Sequence, residues 1–135
     1  MRTPRRAVLL IVALALAGGA RAYEPQVNYQ LHCMGCHRAD GAGEADRLPS
    51  MRGTLVPFSG LPAGRDYLLR VPGVAQSPLG DADLATLMNW MVRNLSDVPV
   101  PAGFVEYTAE EVGRARQRPL VKVVDERHRL LQLTR

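Results

Sequence analysis

Aromatic residues are scarce in this 135-residue chain, which has one Trp, four Tyr and two Phe, 5% of the total. Aromatic side chains bury more apolar area per residue than most others. Their shortage therefore predicts a thin core for a domain of this size, one that a bound group would fill. Cysteine is nearly absent as well, with only Cys33 and Cys36. Two thiols exclude a multi-disulfide scaffold and a four-cysteine zinc site. The longest apolar run, Ala7 to Ala17, falls short of the roughly 20 residues that a membrane-spanning helix needs.

That run sits in a leader. It follows the basic head Met1-Arg2-Thr3-Pro4-Arg5-Arg6 and precedes Ala20-Arg21-Ala22, an Ala-x-Ala ending. Basic head, short apolar middle and small-residue terminus are the features of a secretory signal peptide over residues 1–22. The mature chain is expected to begin near Tyr23, outside the cytoplasm, with no stable membrane insertion once the leader is cleaved. Arg2, Arg5, Arg6 and Arg21 belong to the leader. Setting these four aside leaves 13 basic residues against 13 acidic ones, so the formal charge of +4 is a property of the leader. A nucleic-acid partner has no electrostatic support in such a chain.

What is present is Cys33-Met34-Gly35-Cys36-His37. Two thiols three positions apart on a helical turn lie on one side of it and can each close a thioether to one porphyrin edge. The imidazole that follows can then ligate the iron, as in many haem proteins. C-x-x-C-H is thus the attachment signature of one covalent haem c, through Cys33 and Cys36, with His37 as proximal ligand. A redox disulfide is the alternative, but it expects a preceding strand. A zinc site is the other, and beyond these thiols the chain offers it only His32, His37 and His128.

The pattern along the chain is helical. Val27, Leu31 and Met34 recur at helical spacing on a segment from Pro25 to Cys36 that leads into the thiols. Arg38 to Gly43 reads as a turn, and Leu48 to Gly53 as an ordered loop. Thr54 to Ala63, rich in Pro and Gly, reads as irregular wall. A short helix is expected over Gly64 to Val71, stopped by Pro72-Gly73, with a loop over Val74 to Leu79. The strongest stripe is Leu84, Leu87, Met88, Met91 and Leu95, on a helix from Asp81 to Leu95 that should pack on the first helix. After Val98-Pro99-Val100-Pro101 the composition changes, and Thr108-Ala109-Glu110-Glu111 forms a capping box opening an Arg-rich helix that ends before Pro119. Tyr23 to Tyr107 carries six basic and nine acidic residues, and Thr108 to Arg135 carries seven and four. Opposite charge lets the tail pack on its own domain, or serve as a docking arm for an acidic partner.

Taken in order, Tyr29, the Cys33-x-x-Cys36-His37 anchor, Asp40-Gly41-x-Gly43, Pro49-x-Met51-x-Gly53, Tyr67-Leu68 and Trp90 resemble a small class I c-type cytochrome. The resemblance implies an all-α, cytochrome c-like helical domain wrapped around one covalent haem at 23–97. A Pro-containing linker and basic helical tail follow at 98–135. It implies a periplasmic one-electron carrier between a periplasmic dehydrogenase and a downstream acceptor, and not an enzyme unless as the electron-transfer subunit of one. It also implies that the Pro49 carbonyl accepts the second ring N–H of His37 and that Met51 packs on the same side. Family members supply a Met to the far face of the iron from the loop before the terminal helix. Here that loop, Val71 to Gly80, has neither Met nor His. Met51 is then the candidate sixth ligand, although it maps to the proximal side. The competing reading is a haem protein whose open or weakly held sixth position binds a small ligand, as a sensor or scavenger.

Overall fold

A computed structural model describes residues 23–44 and 47–134, and the leader lies outside them. Eight helices are found among the described residues, with no strand beyond an isolated bridge between Glu44 and Leu48. They are α1 (Pro25–His32), α2 (Met34–His37), α3 (Leu55–Ser59), α4 (Pro62–Arg70), α5 (Pro72–Ala75), α6 (Asp81–Asn94), α7 (Ala109–Arg116) and α8 (Val123–Leu133).

The longest helix, α6, is the one around which the rest is arranged. Its stripe of Leu84, Leu87, Met88 and Met91, continued by Leu95, is buried throughout, and it packs on α1, α3 and α7. Asp81 and Asp83 lie in its first turn and Arg93 in its last, the arrangement that the helix dipole favours. Tyr29 of α1 meets it through Trp90, with ring centroids 5.6 Å apart.

Several expected boundaries shift. The helix into the anchor is two helices, because Cys33 (φ −126°, ψ −40°) interrupts it. The face of α1 turned inward carries Asn28 and Tyr29, whereas Leu31 and Met34 are exposed. The aromatic ring of Tyr29, seated on Trp90, sets that rotation. Residues 54–63 are not wholly irregular, since Leu55–Ser59 forms α3 and buries Leu55, Val56 and Phe58. Pro57 is tolerated there because first-turn N–H groups have no partner within the helix. Gly64 then lets α4 cross closely, as a Cβ there would lie 2.2 Å from the Phe58 carbonyl oxygen. Pro62 and Pro72 each open a helix at the first positions, so α4 begins earlier than expected and α5 occupies part of the expected loop.

The tail lies on the body. Thr108 Oγ1 accepts the Glu111 N–H at 3.1 Å and caps α7, whose Val112 and Ala115 are buried. Arg65 of α4 grips Glu111 through two hydrogen bonds of 2.9 and 2.7 Å, and its guanidinium lies 4.1 Å from the centre of the Tyr107 ring. Asn89 of α6 exchanges two hydrogen bonds with the Tyr107 backbone. Beyond Pro119, α8 buries Leu130 against Phe58 and Tyr67 in a second, smaller core.

Candidate haem-attachment site

The anchor is assembled by one turn of chain and its supports. Cys33 is half-buried against the main core, and Cys36, one turn on, is exposed. They are not joined to each other in a disulfide. Burial pushes the Cys33 thiol up to about 11. A redox dithiol is favoured by the opposite direction, a thiol made acidic by its surroundings. The zinc alternative finds no group of three or more His, Cys, Asp or Glu among the described residues.

His37 is half-buried, and its Nδ1 is a buried atom with no hydrogen-bond partner in the structure. Burial also lowers its pKa, which favours the neutral imidazole that a metal requires. With Nδ1 uncommitted, it can donate to a backbone carbonyl while the other ring nitrogen ligates an iron, and next to two thiols on one turn this fits a haem held by Cys33 and Cys36 and ligated by His37. The bond from His37 to the Pro49 carbonyl is not formed here. The structure does bring Pro49 to the same turn. Gly43 N–H donates to the His37 carbonyl at 3.2 Å, and a Cβ on Gly43 would lie 2.9 Å from the Pro49 carbonyl oxygen.

Two devices hold this turn. The Tyr29 hydroxyl donates to the Arg38 carbonyl at 2.6 Å, tying the residue after His37 back to α1. Arg38 has φ 61° and ψ 172°, a region that glycine tolerates and other residues enter at a cost of about 1–3 kcal/mol. On the other side, Met51 N–H donates to the Gly41 carbonyl at 3.0 Å. Arg52 joins Asp40 and Asp97, while its own carbonyl accepts from Ser96 Oγ and Asp97 N–H. Asp40, Gly41 and the Met51–Arg52 turn are thereby fixed to the end of α6. Of these supports, the sequence points to Tyr29 as an aromatic near the anchor, but no residue type announces the backbone of Arg38.

The methionines are placed as follows. Met88 and Met91 are buried in the helix-packing core, and Met34 is exposed between the two thiols. The Met51 methyl lies 3.4 Å from where a Cβ of Gly41 would be, so its side chain is directed into the turn after His37. His32 is exposed and lines a cleft of about 290 Å³ whose other wall is Pro72, Gly73, Gln76, Ser77 and Pro78.

The chain is 30% identical to a cytochrome c-552 of Thermus thermophilus, over 96% of this chain and 98% of that protein. It is 28% identical to a second cytochrome c-552 of the same species, over 84% of this chain and 97% of that one. Neither a family model nor a solved structure matches. With an all-helical fold and likeness of that extent, the chain belongs to the class I c-type cytochromes. Membership makes it an electron-transfer protein with covalently bound haem c.

Proposed function

We propose that the protein is an exported monohaem electron carrier that takes one electron at a time from a periplasmic dehydrogenase and gives it to a downstream acceptor. The observation that carries this reading is the anchor turn, where Cys33, Cys36 and the inward Nδ1 of His37 share a single support built by Tyr29, Gly43 and Pro49. A bound haem supplies a one-electron Fe(III)/Fe(II) couple.

The residues act around that couple. Cys33 and Cys36 fix the ring. His37 would ligate the iron, and the Pro49 carbonyl, which is near the same turn but unbonded to His37 in this structure, would accept the Nδ1–H of the ligated ring, fixing its orientation and making the imidazole a stronger donor. Leu68, Val74, Trp90 and Met51 are half-buried apolar residues packed against the main core and lower the local dielectric. The exposure of Cys36 and Met34 leaves one edge of the attachment segment at the surface, where a partner protein can approach. Export rests on the leader at 1–22. Among the described residues no helix is long and apolar enough to cross a membrane.

The test is to isolate the protein from a bacterial periplasm and titrate it potentiometrically. A single reversible one-electron transition is expected, with all absorbance accounted for by one haem per chain. A cytoplasmic apoprotein, or a product consumed catalytically in place of stoichiometric electron exchange, contradicts the reading.

A further inference from the structure

We propose that Arg127 of α8 is a positioning residue for the haem, which sets the reduction potential by holding the Ser50 carbonyl and, through it, the Pro49 carbonyl beside the turn of His37. This rests on the covalent-haem reading above and gives a role in it to the C-terminal helix, which carries no attachment residue.

The helix reaches this segment over α3 and α4. Leu130 is fully buried against Phe58 and Tyr67, and Arg127, three residues earlier, shares its face of the helix. The Arg127 guanidinium lies 5.7 Å from the centre of the Phe58 ring. Its Nη2 donates to the Ser50 carbonyl at 3.4 Å, an acceptor that the Thr54 hydroxyl shares at 3.5 Å. The same peptide unit is held at its other end, where the Met51 N–H donates to the Gly41 carbonyl at 3.0 Å. The C=O and N–H of a trans peptide point in opposite directions. The Ser50–Met51 unit is therefore gripped from two sides, by the tail and by the turn after His37.

Pro49 and Ser50 are both exposed, so polar contacts rather than burial fix them. The ring of Pro49 locks its own φ, and with Ser50–Met51 gripped few rotations remain that move the Pro49 carbonyl. That carbonyl runs against Gly43, where a Cβ would lie 2.9 Å from its oxygen, and the Gly43 N–H is bonded to the His37 carbonyl at 3.2 Å. Contacts thus run without a break from α8 through Ser50, Pro49 and Gly43 to His37. An imidazole whose second ring N–H is accepted by a carbonyl is a stronger donor to iron, which favours Fe(III) and lowers the potential. Loosening the hold on Ser50 weakens that donor and raises the potential. Loss of the Arg127 charge alone acts in the opposite sense, because a nearby cation favours the reduced state. Position and charge are therefore separable by the sign of the shift.

The test compares full-length proteins made in a haem-attaching bacterial host and titrated potentiometrically at high salt, which screens charge acting through solvent. Haem stain retained on a denaturing gel establishes attachment, and its loss refutes the cytochrome reading itself, separately from this proposal. Arg127→Lys keeps the charge and forfeits the planar fork that spans Phe58 and Ser50. At a fixed applied potential its ratio of reduced to oxidised protein should rise at least threefold over the wild type. Leu130→Ala loosens α8 with no change of charge and should shift the ratio the same way. If that variant does not fold, Arg127→Lys decides alone. Arg129→Lys, on the same helix at the pair with Glu126, should leave the ratio unchanged. In the oxidised protein the His37 ring N–H, read by its iron-shifted proton resonance, should exchange with deuterium at least severalfold faster in Arg127→Lys. A ratio unmoved or lowered in Arg127→Lys, an equal shift in Arg129→Lys, or an unchanged exchange rate overturns the proposal.

Discussion

At the scale of single residues, the anchor depends on backbone conformations that its neighbours impose. Arg38 occupies its unusual backbone region while its carbonyl is held by the Tyr29 hydroxyl. Tyr29→Phe removes one hydrogen bond to a carbonyl and keeps the ring against Trp90, so a loss of about 1–2 kcal/mol is expected in denaturant unfolding. The Tyr29 hydroxyl is itself pushed up to about 12, chiefly by burial, and remains a donor at any physiological pH. Gly43→Ala should cost more, about 2 kcal/mol or above, because φ is +73° and the new methyl meets the Leu48 carbonyl oxygen at 2.4 Å. His37→Ala should leave attachment possible and alter the spectrum, and an unchanged spectrum refutes its role as ligand. The Asp40-Gly41-x-Gly43 turn is legible from its residue types. The Arg38 conformation is not, because it results from contacts between α1 and the turn.

At the scale of elements, the sequence is most readable where one period and clear ends coincide. The stripe of α6 and the Thr108 cap of α7 are both legible. Proline misleads in two places, since a residue that reads as a breaker occupies an opening turn at Pro57 and at Pro72. The inward face of α1 differs from its periodicity because three aliphatic residues at helical spacing are outweighed by one aromatic, Tyr29, with two partners. The tail elements make testable contributions. Leu130→Ala empties a fully buried site against Phe58 and Tyr67, and a loss of about 2–5 kcal/mol is expected, with limited proteolysis first cutting near α8. Arg65→Lys forfeits the two-pronged hold on Glu111. A loss of about 2 kcal/mol is expected from that charge-assisted pair.

Across the whole molecule, the opposite charges of body and tail are expressed in the packing. Tail residues Arg116 and Arg118 reach Asp81 and Asp66 of the body, and the Arg65–Glu111 contact runs the opposite way. On the other flank, Arg52 holds the carboxyls of Asp97 and Asp40 below the usual range, for Asp97 chiefly by its hydrogen bonds and for Asp40 after the Ala42 N–H. Lowered carboxyl pKa values stabilise the fold above the ordinary carboxylate value of about 4. That contribution is lost as pH falls through the folded values. The melting temperature of Arg52→Met should therefore lie below that of the wild type at neutral pH and converge with it in acid. A gap that persists in acid refutes the pairing. The class of the protein is legible from five residues because covalent attachment needs that spacing, whereas the tail's hold on the Ser50 carbonyl emerges only when Arg127 is brought to it by the fold. The central claim is that Cys33 and Cys36 together carry one haem, and the intact mass of the exported protein after exposure to a thiol-alkylating reagent tests it most directly. The account predicts the mature chain plus one haem and no alkyl adduct. A chain without haem that takes up two alkyl groups would contradict it.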